Sequence, residues 1–117
     1  MDSANGHTSI KSESAKYLTQ ILTELKQQIT AKYPVIEMLV FGSKARGEDT
    51  PDSDIDVFVR LPAVTRTIEE DLFDMAHDLE LKYDCLIDII ILSDSLLCTH
   101  AEYLPIYQRI VSEGIEL

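Results

Sequence analysis

The chain has 117 residues, of which 45% are apolar and 26% are charged, a balance typical of one globular domain. Ten Lys and Arg stand against 21 Asp and Glu, so the formal net charge is -11. Because this charge repels a phosphate backbone, we expect no stable nucleic-acid binding. No apolar segment approaches the ~20 residues that a membrane helix needs, and the N-terminus lacks a signal-peptide core. We therefore expect a cytoplasmic protein without a membrane partner.

Cysteine and histidine offer no metal or disulfide pattern. Cys85 and Cys98 fit neither a disulfide framework nor a zinc spacing, and we expect both to pack as small hydrophobic side chains. His77 lies among predicted helix residues, and His7 and His100 lie near mobile or capping sequence, so we expect all three to be structural or solvated.

The first half of the chain begins with a polar segment and continues into a helix. Residues 1–13 lack apolar periodicity and are predicted to be a flexible tail, which leaves a single domain over residues 14–117. From residue 14 onward an apolar stripe at helical spacing predicts a first helix that ends near Pro34. The stripe consists of Leu18, Ile21, Leu22, Leu25 and Ile29.

Two strand patterns follow the first helix. Residues 35–41 are rich in branched and aromatic side chains and stop at Gly42, which permits a tight turn. A short helix is expected over residues 43–47, and its free N–H groups would face the end of the strand. Residues 55–60 alternate between apolar and polar side chains and predict a second strand. The two strands are expected to form a hairpin-like pair around the intervening segment.

The second half of the chain predicts two helices with a strand between them. Residues 68–83 carry an apolar helical face opposite an acidic one. Residues 86–92 are apolar except for Asp88, which is the pattern of a central strand buried on both faces. Residues 104–111 suggest a last helix that ends near Gly114. Tyr103 and Tyr107 in this region are expected to serve packing in a core or an interface.

The segment between the two predicted strands carries the strongest chemical signal. Gly42 and Ser43 are followed by ten residues and then by Asp54 and Asp56. At a period of two these aspartates point to one face of their strand, where their carboxylates can bind one or two divalent cations. Mg²⁺ prefers such oxygen ligands and recruits phosphate oxygens. The glycine lets the backbone approach a phosphate, and the serine hydroxyl can donate to its oxygens.

Three further charged residues are candidates for the same site. Asp88 is costly within an apolar strand unless it is paired or metal-bound, and it joins the cluster if its strand lies beside the preceding one. In that case two metals would stabilise an in-line displacement at phosphorus, and Asp88 could take the acceptor proton. The alternative is an exposed acid on an edge strand or a partner of Lys82. Lys44 and Arg46 could neutralise a leaving pyrophosphate or be ordinary surface cations.

These residues carry a family resemblance. The sequence Gly-Ser-Lys-Ala-Arg-Gly at 42–47, followed by Ser-Asp-Ile-Asp-Val at 53–57, resembles the signature of minimal nucleotidyltransferases in the DNA polymerase β superfamily. The resemblance implies an α/β (α+β) fold in which a small mixed sheet is flanked by helices. It also implies that Mg²⁺ is held in a two-metal site by Asp54, Asp56 and Asp88, and the nucleotide by Gly42, Ser43, Lys44, Arg46 and Ser53.

The resemblance also implies a biological role. Many stand-alone members of this family are antitoxins of HEPN ribonuclease toxins and transfer AMP from ATP to a toxin tyrosine, and this chain is similar to them in its shortness. We therefore expect a Mg²⁺-dependent protein adenylyltransferase with a HEPN partner. Two alternatives remain open, a non-catalytic antitoxin that acts by binding and a nucleotidyltransferase for small molecules such as aminoglycosides. Lys44 stands where arginine is common, and residues 48–52 add acidic charge near the phosphates.

Overall fold

A computed structural model describes residues 2–42 and 54–117, with side chains from Tyr17 onward in the first range. The predicted short helix over residues 43–47 lies outside these ranges. A short 3-10 turn, Ala101–Tyr103, joins the third and fourth helices. The elements in chain order are α1 (Asp2–Lys32), β1 (Glu37–Phe41), β2 (Ile55–Leu61), α2 (Arg66–Tyr83), β3 (Ile87–Ser93), α3 (Asp94–Thr99), α4 (Leu104–Glu113) and β4 (Ile115–Glu116).

The strands form one mixed sheet in the order β3-β2-β1-β4. β1 pairs with β2 in antiparallel orientation, as the predicted hairpin-like pair requires, and β4 adds to the other side of β1. β2 and β3 run parallel. The prediction of a small mixed sheet flanked by helices is therefore confirmed. Among the helices of the two described ranges, none is both long and apolar enough to span a bilayer.

β3 occupies a different place from the one predicted. Its apolar sequence suggested a central strand, but in the described part of the chain it pairs only with β2 and lies at the sheet edge. The sequence is apolar because both faces of β3 are covered. Ile87 and Ile89 pack in the core under α1 and α2, whereas Ile90 and Leu92 pack in a second core with α4.

The alternation of side chains along β2 divides the interior into two cores. Val57 and Val59 point into the first core, against the apolar faces of α1 and α2. Phe58 points the other way and is fully buried in the second core, which includes Ile110 of α4. One face of the sheet is thus covered by two long helices, and the other by the C-terminal segment.

α1 and α2 bury the faces that their periodicity predicts. The α1 stripe is buried from Ile21 to Ile29, and the helix ends at Lys32. The helix begins at Asp2, however, so the predicted start near residue 14 is wrong. Backbone hydrogen bonds can extend a helix through polar sequence that has no apolar stripe, and periodicity therefore does not locate such a start. The division into a tail of residues 1–13 and a domain of residues 14–117 stays a prediction.

α1 and α2 are also joined by a polar contact at the end of α1. The Lys32 ammonium lies 2.7 Å from Oδ2 of Asp71, and the Tyr33 hydroxyl donates to the same oxygen over 2.5 Å. These two hydrogen bonds, that of Lys32 first, lower the pKa of the Asp71 carboxyl. The ionised carboxylate is therefore the form that the folded chain favours.

A second contact of the same type joins the two helices at the end of α2. Lys82 lies 2.7 Å from Oε1 of Glu24, and the Tyr83 hydroxyl donates to Oε2 of the same carboxylate. The hydrogen bond from Lys82, followed by that from Tyr83, lowers the pKa of Glu24. Each helix thus ends in a Lys-Tyr pair that binds an acid on the other helix.

These contacts predict a pH-dependent contribution to stability. We expect Asp71→Asn to lower the melting temperature at neutral pH, because the neutral amide can accept a hydrogen bond but cannot form the ion pair with the Lys32 ammonium. A carboxyl whose folded pKa is lowered stabilises the fold above its unfolded pKa of about 3.9, and this contribution is lost as the pH falls through the folded value. The difference from the wild type should therefore shrink below roughly pH 4.

Thermal unfolding followed by circular dichroism between pH 3 and pH 8 measures this effect. Asp74→Asn, at an exposed position of the same helix, is the matched control and should leave the melting temperature unchanged. Equal melting temperatures for the two variants across the pH range would show that the contact to Asp71 contributes nothing.

Candidate active site

Gly42 closes β1 with a backbone conformation that favours glycine. Its φ is +73°, in the left-handed region. A Cβ at this position would lie 2.3 Å from Oδ2 of Asp56, well inside van der Waals contact. The predicted turn is therefore present, and the absence of a side chain at Gly42 makes room for the Asp56 carboxylate.

Asp56 and Asp88 are direct neighbours on adjacent strands. They are register partners in the parallel pair of β2 and β3, whose backbones lie about 4.8 Å apart. Both side chains therefore point to the same face of the sheet, the face that carries the second core. The structure thus meets the condition on which the role of Asp88 depended. Lys82, considered above as a partner of Asp88, instead binds Glu24.

Asp54 lies immediately before β2, two residues from Asp56, and is exposed. Asp56 is half-buried, and Asp88 is exposed. Within residues 17–42 and 54–117, no three His, Cys, Asp or Glu side chains converge closely enough to hold a metal ion. The structure therefore brings Asp56 and Asp88 together, whereas Asp54 must turn toward them to complete a three-carboxylate set.

The donor atoms fit Mg²⁺ in chemical type. Two carboxylates on neighbouring strands, beside a glycine that leaves space for one of them, supply oxygen ligands and leave other positions to water or phosphate. The metal role of Asp54, Asp56 and Asp88 stays a prediction.

The remaining predicted nucleotide contacts lie outside the described residues. Ser43, Lys44, Arg46 and Ser53 all fall between residues 42 and 54, so their predicted contacts with phosphate stay predictions. Asp56 takes part in further interactions within the chain.

A groove that the sequence did not reveal opens beside the two carboxylates. It has a volume of about 320 Å³ and lies between the end of β1, β3 and α4. Ile106 and Ile110 face it from successive turns of α4, and this i, i+4 spacing is the signal that could have indicated a second apolar ridge on the helix. The other lining residues are Phe41, Gly42, Ile90, Arg109 and Glu113.

A polar network fixes α3 and α4 on this face of the sheet. Arg60 on β2 lies 3.2 Å from Glu37 on β1 and 2.8 Å from Asp94 at the start of α3. The Tyr107 hydroxyl of α4 donates to the Glu37 carboxylate over 2.9 Å, and the Arg60 guanidinium lies 5.6 Å from the centre of the Tyr107 ring. Burial, followed by the hydrogen bond to Glu37, raises the pKa of Tyr107. The hydroxyl therefore stays protonated and donates.

The aromatic residues of the C-terminal segment serve packing, as expected. Tyr103 and Tyr107 pack at the border of the second core, and the Tyr107 ring centre lies 5.8 Å from that of Phe58. Cys85 is half-buried against the first core, in line with its predicted packing role. Cys98 differs, because it is exposed on α3.

Comparison with known proteins identifies the class to which this arrangement belongs. Residues 18–116 match the family model described as the nucleotidyltransferase domain, and the chain belongs to this family. The match covers β1, β2 and β3, and therefore includes Gly42, Asp56 and Asp88. The resemblance to minimal nucleotidyltransferases is confirmed.

Individual relatives agree with this class. The protein adenylyltransferase MntA of Thermococcus cleftensis is 38% identical over 55 residues, which cover 44% of this chain and 56% of the relative. The match thus spans little more than half of that protein. The crystal structure of a toxin–antitoxin with AMP-PNP superposes with a TM-score of 0.59 at 20% identity, over 80% of this chain and 69% of the other. A structure assigned as a minimal nucleotidyltransferase superposes with a TM-score of 0.59 at 23% identity, over 89% of this chain and 95% of the other.

Proposed function

We propose that this protein is a Mg²⁺-dependent adenylyltransferase that transfers AMP from ATP to a tyrosine hydroxyl of a HEPN toxin and thereby acts as its antitoxin. The observation that carries the proposal is the register pairing of Asp56 with Asp88 next to Gly42. Membership of the nucleotidyltransferase domain family supports the type of reaction.

The choice of nucleotide and partner draws support from the relatives. The partly matching protein from Thermococcus cleftensis is a protein adenylyltransferase, and one structure with the same fold is a toxin–antitoxin with AMP-PNP. The net charge of -11 suits a basic protein partner and opposes a nucleic-acid substrate.

The proposed reaction is an in-line displacement at the α-phosphorus of ATP. The tyrosine oxygen forms a bond to this phosphorus while the bond to the bridging oxygen of the β-phosphate breaks, and pyrophosphate leaves. Mg²⁺, when bound, neutralises charge on the phosphate oxygens and on the leaving group. Asp54, Asp56 and Asp88 would hold it. Asp88 would also accept the proton of the tyrosine hydroxyl, a role that its exposed position on the edge strand supports.

The direct test is transfer to the partner itself. The purified protein is incubated with ATP, Mg²⁺ and a candidate HEPN-type partner protein, and the intact mass of the partner is measured. We expect the partner mass to rise by whole AMP groups and to stay constant when Mg²⁺ is chelated. A Tyr→Phe change at the modified position of the partner should abolish the increase. A folded complex in which the partner mass never changes would contradict transfer.

A further inference from the structure

The groove beside the carboxylates adjoins the proposed metal site through Gly42. Gly42 lines one end of the groove, and the space that its missing Cβ would occupy is filled by the Asp56 carboxylate. Ile90, which also lines the groove, follows Asp88 by two residues on the same face of β3, a distance of about 7 Å along the strand. A ligand held at the two carboxylates would therefore extend into this groove.

The groove is lined mostly by apolar side chains, together with one charged pair. Its apolar lining comes from Phe41 and Ile90 on the sheet and from Ile106 and Ile110 on α4. Arg109 and Glu113, which also line the groove, form an ion pair with 2.9 Å between Nε and Oε2. The volume of about 320 Å³ lies at the lower end of the range for small-molecule pockets, and it fits one flat ring system with its sugar better than a segment of protein.

Ile106 on α4 lines the groove and is one of the more exposed large apolar side chains of the described residues. It leaves 52% of its surface open to solvent, although Ile110, one turn later, is buried. An isoleucine with this exposure contributes little to the fold itself. It would gain favourable contact from a flat apolar ligand placed between it and the sheet.

We infer that this groove binds the nucleobase of the nucleoside triphosphate, with the ring between Ile106 and the sheet and the triphosphate at Asp56 and Asp88. The inference rests on the proposed function and identifies the part of the nucleotide that the groove recognises. A nucleotide has two chemically different ends, and the site has two matching parts. The carboxylate end suits a metal-bound triphosphate, and the apolar groove suits the flat faces of a base.

Binding measurements on matched ligands and matched variants test this inference. Calorimetry in the presence of Mg²⁺ gives dissociation constants for AMP-PNP and for inorganic tripolyphosphate, which lacks sugar and base. The test variant is Ile106→Ser. The control is Ile115→Ser, because Ile115 has the same exposure of 52% and lies outside the groove lining.

We expect Ile106→Ser to weaken AMP-PNP binding about tenfold, since it removes an apolar wall from the base. Tripolyphosphate binding should stay unchanged, and Ile115→Ser should affect neither ligand. Thermal melts of both variants confirm that each is folded. An Ile106→Ser variant that binds AMP-PNP as the wild type does would overturn the inference, as would equal weakening of both ligands. If that variant keeps AMP-PNP binding but loses transfer, the groove holds the acceptor instead.

The design separates this inference from the proposed function. If the wild-type protein binds neither AMP-PNP nor tripolyphosphate, the proposed nucleotidyltransferase activity itself is contradicted. Wild-type protein that binds both ligands, with no preference for AMP-PNP and no effect of Ile106→Ser, would contradict only the nucleobase groove.

Discussion

Replacing Asp56 with asparagine should reduce AMP transfer to the partner on the order of 10²–10³-fold, the loss typical when one charge-stabilising group is removed from a polar transition state. The substitution conserves shape, so we expect the fold to persist. Asp88→Asn should have an effect of the same order, because Asp88 is the register partner of Asp56 on the adjacent strand and would also take the acceptor proton. The measurement is the rate of mass increase of the partner at saturating ATP and Mg²⁺.

Asp84→Asn is the matched control for both aspartate variants. Asp84 is exposed and has a left-handed φ of 52°, a conformation that asparagine also tolerates. The transfer activity of the Asp84→Asn variant should equal that of the wild type. Transfer at the wild-type rate by both Asp56→Asn and Asp88→Asn would contradict the proposed catalytic role of these residues. If Asp56→Asn loses transfer but still neutralises the toxin in cells, binding alone accounts for the antitoxin effect.

Replacing Gly42 with alanine should damage both the stability and the site. We expect the free energy of unfolding to fall by about 1–3 kcal/mol, the usual cost of a strained backbone conformation. The added Cβ would also meet Oδ2 of Asp56 at 2.3 Å and displace this carboxylate. Transfer should therefore drop together with stability. Urea unfolding and the transfer assay measure the two effects.

A double-mutant cycle separates strain at Gly42 from its clash with Asp56. In an Asp56→Ala background the carboxylate is gone, so only the backbone cost of Gly42→Ala remains. We expect Gly42→Ala to cost less stability there than in the wild type. Equal costs in both backgrounds would show that the contact between Gly42 and Asp56 does not constrain the fold.

The elements with strong periodicity could be predicted from the sequence. The α1 stripe and the apolar face of α2 each repeat over several turns, and the structure buries both. β2 alternates between Val57, which faces the first core, and Phe58, which faces the second. In these elements the apolar pattern predicts which side chains are buried, and those side chains are the ones that the structure buries.

The position of β3 could not be predicted in the same way. A continuous apolar run indicates that both faces of a strand are covered, but it does not show how many neighbours the strand has along the sheet. α3 and β4 were missed because six and two residues are too short for periodicity. Serine is a preferred residue at the start of a helix, so Ser93 was a sequence signal for the start of α3. In the structure its hydroxyl accepts a hydrogen bond from the Leu96 N–H over 3.0 Å.

Part of the candidate site was also accessible from the sequence. The spacing from Gly42 to Asp56 reflects local chemistry, so it could be recognised without coordinates. The pairing of Asp56 with Asp88 depends on strand order, and the sequence allowed only a conditional statement about it. The groove beside Ile106 brings together segments from β1, β3 and α4, and of these only the apolar ridge on α4 has a local sequence signal.

The most direct test of the central claim is the position of the metal. Crystals of the protein with AMP-PNP and Mn²⁺, which stands in for Mg²⁺, give an anomalous difference map that locates each ion independently of its ligands. We expect at least one ion within roughly 2.0–2.3 Å of carboxylate oxygens from both Asp56 and Asp88, with Asp54 turned toward it. An ion bound without Asp88, or AMP-PNP bound with no ion at these carboxylates, would contradict the account.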